Sequence, residues 1–296
     1  MLRAVDIADS ADRAWFSAAG RSARSAASGA LGLLSPTWCH GCGAEETVFC
    51  LECSEDLHAL TRHPFPAEQQ ALALPLLFHG EGVLVMPVTA AGRYEGLLSR
   101  ALLAFKDHGA ITLARHLAPA LRRSVELAIE RTGPGTPGPG PAGWTLVTPP
   151  PSLKSRLSRG FDPLQLLLQH ALSSPGGGVL SGHRQLVYTP GVLRQSRKSS
   201  LRSLNPRGGR QKSRGARARR RSLVGSFEIT ARGARVLPGA DVLLLDDVLT
   251  SGSTLGELYR VLEAAGATVH GAAVIAAAPS PGADDEFLLV SASPEA

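Results

Sequence analysis

The 296-residue sequence has little of what marks secreted or membrane-spanning proteins. Its four cysteines all lie between residues 39 and 53, too few and too local for a scaffold built on disulfides. No hydrophobic run approaches the roughly 18 apolar residues that a membrane-spanning helix requires. Acidic residues at positions 6, 9 and 12 stand where a secretory signal would be basic and then apolar, so we expect a cytoplasmic protein without a membrane span.

Charged and aromatic side chains are also scarce. Charged residues make up 19% of the chain and aromatic residues 5%, while hydrophobic residues reach 44%, which is ordinary for a protein with a packed core. One segment, residues 194–221 (the basic stretch), holds twelve basic residues and no acidic one. The remaining residues carry 19 basic against 25 acidic side chains, so the net charge of +6 is local to a stretch that attracts phosphate.

Hydrophobic periodicity predicts an α/β fold. Residues 242–245 are a continuous apolar run, which is expected for a central parallel strand covered on both faces. Residues 95–106 and 255–265 place apolar side chains at helical spacing. Strand-like and helical segments alternate along the chain, so we predict a mainly parallel sheet flanked by helices. Residues 57–80, which include a His-Pro and a Phe-Pro pair, are predicted to form a linker.

The four cysteines form two CxxC pairs, Cys39 with Cys42 and Cys50 with Cys53, separated by seven residues. Each pair can bend into a tight turn that presents two thiolates, and two such turns complete a tetrahedral sulfur site. Two disulfides or simple buried thiols are the alternatives, but in a cytoplasmic chain the pattern favours Zn²⁺. Four protein sulfurs leave no open coordination position, so the site is expected to be structural.

The clearest chemical signal follows the apolar run at 242–245. Asp246 and Asp247 come at the end of a predicted strand, where parallel sheets bind ligands. Small hydroxyl residues and a glycine then lead into a helix: Thr250, Ser251, Gly252, Ser253 and Thr254. Such a loop can wrap a phosphate at the helix N-terminus, while the carboxylates suit sugar hydroxyls or a metal ion. A simple helix N-cap would account for one hydroxyl residue but leaves the paired aspartates unexplained.

This segment resembles the phosphoribosyl pyrophosphate (PRPP) motif of the type I phosphoribosyltransferases. The resemblance implies that Asp246 and Asp247 contact the ribose 2′ and 3′ hydroxyls and serve catalysis. It also implies that residues 250–254 bind the 5′-phosphate. In that family a nucleophile attacks C1 of PRPP, and pyrophosphate leaves together with Mg²⁺.

Other segments resemble the ComF family, which joins an N-terminal four-cysteine zinc module to a C-terminal phosphoribosyltransferase domain. The similarity covers roughly residues 31–278 and includes the segment 94–109, which ends in Lys-Asp-His-Gly. Asp162 and Pro163 stand where that family has Asn and Gln. The resemblance implies four parts: an extension (1–30), the zinc module (31–60), the phosphoribosyltransferase-like domain (80–278) and a tail (279–296).

The leaving pyrophosphate of such a reaction needs positive charge beside it. We expect this charge from Lys154, Arg156 or Arg159, which follow a proline-rich turn, and from Mg²⁺ bound together with PRPP. Of the three side chains, Arg159 is favoured as the catalytic one. The histidines are scattered and offer no convincing general base, and no feature identifies the acceptor substrate.

Two functions of different classes fit these observations. The first is an enzyme that transfers the 5-phosphoribosyl group of PRPP to an unidentified nucleophile. The alternative is a non-enzymatic or PRPP-sensing competence and DNA-uptake factor that binds single-stranded DNA through its zinc module and its basic stretch, including Arg219, Arg220 and Arg221. The basic stretch lacks aromatic residues for base stacking, and it also fits a lid over pyrophosphate or a plain solvated loop.

Overall fold

The computed structural model describes seven segments of the chain: residues 37–79, 82–107, 109–132, 143–151, 161–173, 185–196 and 223–279. The predicted extension and nearly all of the predicted tail lie outside these segments. So do Lys154, Arg156 and Arg159, together with residues 197–221 of the basic stretch.

A six-stranded sheet forms the centre of the described structure. The strands in chain order are β1 (Phe65–Pro66), β2 (Leu76–His79), β3 (Gly82–Val85), β4 (Val88–Arg93), β5 (Gly143–Val147), β6 (Gln185–Tyr188), β7 (Leu193–Gln195), β8 (Phe227–Ile229), β9 (Asp241–Leu249) and β10 (Thr268–Ala277). The sheet order is β1-β4-β10-β9-β5-β6, and β2–β3 and β7–β8 form two separate hairpins. Only β1 runs antiparallel to its neighbour in the described sheet, so the predicted α/β fold with a mainly parallel sheet is confirmed.

Six α-helices accompany the strands in the described residues. They are α1 (Leu51–Leu60), α2 (Gly96–Asp107), α3 (Ala114–Thr132), α4 (Pro163–Ser173), α5 (Gly233–Val236) and α6 (Ser253–Glu263), with short 3-10 turns at Glu68–Gln70 and Ile111–Leu113. None of the helices in these segments is both long enough and apolar enough to cross a membrane.

Strand β9 is buried on both faces, as its unbroken apolar run predicts. Leu243 and Leu245 belong to a first core that is built with α1, α2, α3 and α4. Val242 and Leu244 belong to a second core that is built with α6 and the β7–β8 hairpin. The sheet therefore separates two hydrophobic layers, and β9 lies between them.

The connections that follow β9 and β5 cross opposite faces of the sheet. From β9 it passes through α6, on the second core, to β10, whereas from β5 it passes through α4, on the first core, to β6. Beyond the carboxyl ends of two such strands an open α/β sheet leaves a crevice, which is where ligands bind in folds of this kind. The topology thus places the end of β9 at the expected binding crevice.

The prediction that residues 57–80 form a linker is wrong. Helix α1 continues to Leu60, and β1 pairs with β4 at the edge of the sheet, where a proline is tolerated. Downstream, Ala71, Leu74 and Leu77 are buried in the second core. The apolar residues here are too few and too irregularly spaced to show a period, so only their tertiary contacts reveal the packing.

The cysteine segment packs into the first core. Cys39, Cys53 and Leu57 are buried in the same cluster as Leu98 and Phe105 of helix α2. The cysteine-bearing segment and the sheet are therefore joined by a continuous hydrophobic layer.

Candidate functional site

Asp246 and Asp247 lie inside strand β9, near its carboxyl end and not after it. Asp246 is aligned with Val274 of β10, and the two strands remain paired up to Leu249. Both carboxylates are partly buried. The backbone N–H of Asp247 donates to Oδ1 of Asp246 at 2.9 Å, which fixes the orientation of the first carboxylate. The structure thus brings the predicted acidic pair to the binding crevice.

Lys106 contacts this pair from helix α2. Its Nζ lies 2.7 Å from Oδ2 of Asp247, and the two side chains are 30% and 22% exposed. Burial lowers the pKa of Lys106, but attraction to Asp247 and, less strongly, to Asp246 more than offsets it, so the pKa is raised above its ordinary value. Sequence reasoning assigned Lys106 no role, because nothing local in the sequence links the end of α2 to the end of β9.

The charge state of Asp246 is unusual for a carboxylate. Burial raises its pKa from 3.8 to about 7, and repulsion from Asp247 acts in the same direction. The backbone N–H of Asp247 and the charge of Lys106 oppose the shift without cancelling it. Without a ligand, Asp246 is therefore close to half-protonated at neutral pH.

The loop after β9 turns sharply at Gly252. This residue has φ of 78°, in the left-handed region, and a Cβ there would lie 2.8 Å from Cδ2 of Leu74. The backbone N–H of Ala73 donates to the carbonyl oxygen of Ser251 at 2.9 Å. Glycine is therefore required for both conformation and close approach, and residues 73–74 support the loop from outside it.

Helix α6 starts directly after this turn. The hydroxyls of Ser251 and Ser253 lie 2.9 Å apart, and the N–H of Gly256 donates to the carbonyl oxygen of Gly252 at 2.9 Å, closing the first turn. Ser253 is buried, whereas Thr250 is exposed and Thr254 is partly buried. The first N–H groups of a helix have no partner within it and attract anions, so this loop has the form of a phosphate cradle.

Comparison with known proteins agrees with this geometry. Residues 191–293 match the family model described as phosphoribosyl transferase domain. Strands β7 to β10, the acidic pair and the phosphate cradle all fall within the matched residues.

The curated relatives match over a shorter length. Adenine phosphoribosyltransferase of Mycobacterium tuberculosis, in strains CDC 1551 and H37Rv, is 48% identical over 50 residues, which cover 17% of this chain and 23% of that protein. The adenine phosphoribosyltransferase of Mycobacterium bovis, strain AF2122/97, has the same identity over 22% of its length. The chain thus spans less than a quarter of the length of these relatives.

The start of the basic stretch and the residues just after it are held by hydrogen bonds in the described structure. The N–H of Ser196 donates to the carbonyl oxygen of Ser226 at 2.8 Å, next to the β7–β8 hairpin. The N–H of Gly225 donates to Oε1 of Glu257 at 2.8 Å, and Glu257 is buried in helix α6 and paired with Arg260. Ser196 therefore lies beside the β7–β8 hairpin, and Gly225, which follows the stretch, contacts helix α6. Arg219, Arg220 and Arg221, predicted as nucleic-acid contacts, lie outside the described residues.

The opposite side of the crevice follows strand β5. The hydroxyls of Thr148 and Tyr188 lie 3.4 Å apart there. Lys154 and Arg159, the predicted pyrophosphate cations, lie outside the described residues. Just beyond them, Oδ1 of Asp162 accepts from the N–H of Leu164 at 3.0 Å and caps helix α4. Asp162 thus has a structural role as a helix cap.

The four cysteines lie together in one cluster. The sulfur atoms of Cys39, Cys42, Cys50 and Cys53 are all within 4.8 Å of one another, and all four are free thiols. Burial alone would raise the pKa of Cys39, but the backbone N–H groups of Cys50, Cys42 and Gly41 outweigh it and lower the pKa to about 6. Gly41 is needed because a Cβ at this position would collide with the sulfur of Cys53.

This four-cysteine cluster could hold a metal ion. Zn²⁺ takes four thiolates in tetrahedral geometry, and the N–H groups directed at the sulfurs stabilise the thiolate form that a metal needs. The N–H of Cys50 reaches Sγ of Cys39 at 3.3 Å, and the N–H of Cys53 reaches Sγ of Cys50 at 3.4 Å. The residues present therefore fit a closed structural zinc site.

Proposed function

We propose that this protein is a PRPP-binding phosphoribosyltransferase of the ComF type that transfers the 5-phosphoribosyl group to a nucleophile. The observation that carries the proposal is the sequence of features at the end of β9. Two carboxylates stand in the strand at the crevice, and the next turn, through Gly252, opens helix α6 as a phosphate cradle. One ligand that joins a phosphate to a ribose satisfies both parts of the site.

In this proposal the cradle of residues 250–254 holds the 5′-phosphate, and Asp246 and Asp247 accept hydrogen bonds from the ribose hydroxyls. The nucleophile attacks C1, the bond from C1 to the pyrophosphate oxygen breaks, and pyrophosphate leaves with both bonding electrons. Lys154 and Arg159 supply positive charge to the leaving group. Mg²⁺ brought in with PRPP would supply further neutralisation of the leaving group. The negative charge of the carboxylates stabilises the positive charge that develops on the ribose ring.

The cysteine cluster supports the ComF-type part of this proposal. We propose that it holds one structural Zn²⁺, which would stabilise a segment that already belongs to the first core. The proposed divisions are a module at residues 31–60 and a phosphoribosyltransferase-like domain at residues 80–278. Metal analysis of protein purified without an affinity tag tests the zinc, with close to one equivalent expected and less than half an equivalent contradicting it.

The binding test is calorimetric titration of PRPP in the presence of Mg²⁺. The parent is expected to bind, and a variant with both Asp246→Ala and Asp247→Ala is expected not to. Asp241→Asn is the matched control, because Asp241 lies at the other end of β9, where it contacts His270 at 2.8 Å. Binding that survives in the double variant, or that is absent from the parent, would contradict the proposed site.

A second candidate function is PRPP sensing combined with binding of single-stranded DNA. The observation that favours it is the basic stretch, whose twelve positive charges exceed what one pyrophosphate needs. Neutralising several phosphates would give an affinity that falls steeply with salt. Replacing Arg219, Arg220 and Arg221 with Ala is expected to weaken DNA binding at low salt and to flatten its salt dependence, whereas an unchanged salt dependence would leave the enzyme as the better proposal.

A further inference from the structure

We propose that Lys106 is a positioning residue of the ribose site, one that pairs with Asp247 and orients its carboxylate for a ribose hydroxyl. This inference rests on the proposed function, since it concerns the same carboxylates. Its basis is the ion pair between Nζ of Lys106 and Oδ2 of Asp247 at 2.7 Å. The ammonium contacts Oδ2, and in this proposal the other oxygen, Oδ1, accepts the hydrogen bond from the ribose hydroxyl.

The site needs a cation because its two carboxylates are adjacent. Side-by-side carboxylates in a partly buried place repel each other, and a cation between them and the helix offsets this repulsion. A ribose hydroxyl forms its stronger hydrogen bond with an ionised carboxylate. The groups that act on the Lys106 ammonium are Asp247, Asp246 and Tyr94. Lys106 therefore supplies the one positive charge that the structure shows at this acidic cluster within the described residues.

Lys106 is held firmly in this place by helix α2. The N–H of Tyr94, just before the helix, donates to the carbonyl oxygen of Ala277 at 2.8 Å, which ties the start of the helix to the end of β10. In the last turn of the helix, Phe105 is fully buried in the first core. In the second turn, Nε of Arg100 donates to the carbonyl oxygen of Gly41 at 3.1 Å. Because these contacts fix the helix, they also fix the position of Lys106 beside Asp247.

The position of α2 also separates Lys106 from the phosphate cradle. Helix α2 packs in the first core, whereas α6, which forms the cradle, packs in the second core on the other side of the sheet. The cradle has its own donors, namely the first N–H groups of α6 and the hydroxyls of the loop. Lys106 is thus expected to affect the binding of the ribose part of a ligand and not the binding of phosphate alone.

The test is a comparison of three ligands on four proteins. The ligands are inorganic phosphate, ribose 5-phosphate and PRPP with Mg²⁺, each titrated by calorimetry. The proteins are the parent, Lys106→Met, Lys106→Arg and Arg122→Met. Arg122 is the matched control, because its side chain is also 30% exposed and pairs with a carboxylate, that of Glu126, on helix α3. Circular dichroism and thermal unfolding establish that each variant is folded.

The expected result separates the hydroxyl-bearing ligands from phosphate. Lys106→Met is expected to weaken the binding of ribose 5-phosphate and PRPP about tenfold and to leave that of phosphate within about twofold. Lys106→Arg is expected to restore most of the loss, because a guanidinium also pairs with a carboxylate. Arg122→Met is expected to bind all three ligands like the parent.

The other outcomes are equally distinct. If the parent binds ribose 5-phosphate and Lys106→Met binds it equally well, the role of Lys106 is overturned and the proposed function stands. If Lys106→Met weakens phosphate as much as ribose 5-phosphate, Lys106 acts on the phosphate or on the fold, and the positioning role is again overturned. If the parent binds neither ribose 5-phosphate nor PRPP, the proposed function fails and this inference fails with it.

Discussion

Replacing Asp246 with asparagine is expected to stabilise the free protein. The pKa of Asp246 is raised from 3.8 to about 7, chiefly by burial and then by repulsion from Asp247. The native state therefore binds this proton more tightly than the unfolded chain does, so ionisation of Asp246 opposes folding, and stability falls as the pH rises from about 4 to 7. Asparagine is neutral at every pH, and its Oδ1 can still accept the hydrogen bond from the N–H of Asp247.

The size of the effect follows from proton linkage. At pH 7 the raised pKa sets a ceiling of about 4 kcal/mol for the gain from Asp246→Asn, and at pH 5 the ceiling falls to about 1.7 kcal/mol. Water entry and small movements of the side chains lower the free-energy cost of ionising Asp246, so the measured gain should be smaller than this ceiling. We therefore expect a gain of about 1–3 kcal/mol at pH 7 and less than about 1 kcal/mol at pH 5.

Urea unfolding at pH 5, 6, 7 and 8 measures this difference. Asp247→Asn is the matched control, because it removes the partner of Lys106 and no comparable gain is expected from it. The same Asp246→Asn protein should bind PRPP more weakly than the parent. An unchanged or lowered free energy of unfolding for Asp246→Asn at pH 7, or a gain that does not vary with pH, would refute the reasoning.

Three further predictions concern the cradle, helix α6 and the metal. Gly252→Ala is expected to lower the free energy of unfolding by about 2–4 kcal/mol and to weaken phosphate binding, since its Cβ would meet Leu74 at 2.8 Å. Gly239→Ala, which also has positive φ but meets no atom within 4 Å, should lose only about 1 kcal/mol; equal losses would contradict the packing argument. Glu257→Ala should lower stability by about 2–4 kcal/mol, because its side chain is 3% exposed and its loss leaves the N–H of Gly225 without that acceptor. Arg260→Ala, which removes a partner that is 54% exposed, should lose less than about 1 kcal/mol, and chemical unfolding of both variants checks the order. Removing the proposed Zn²⁺ from the four-cysteine cluster with a chelator should lower the midpoint of the whole thermal transition, because the cluster packs in the first core; a separate early transition in calorimetry would contradict this.

Local patterns in the sequence predicted the fold class and much of the candidate site. The unbroken apolar run of β9 predicted a central strand, and its alternate residues do pack into two different cores. The two aspartates and the glycine-containing loop predicted a site at the end of that strand, where the structure places them. These features are encoded in neighbouring residues, because a strand, a turn and a helix start each depend on a few consecutive side chains.

Contacts between distant parts of the chain could not be predicted in this way. The sequence by itself determined the mainly parallel α/β fold, the grouping of the four cysteines and the acidic pair followed by a glycine-containing loop. Only the tertiary structure decided that Lys106 faces Asp247, that residues 73–74 support the loop at Gly252, and that the cysteine cluster belongs to the first core. The physical reason is that these contacts depend on how the helices pack on the sheet. This packing cannot be read from the residues next to each partner in the sequence.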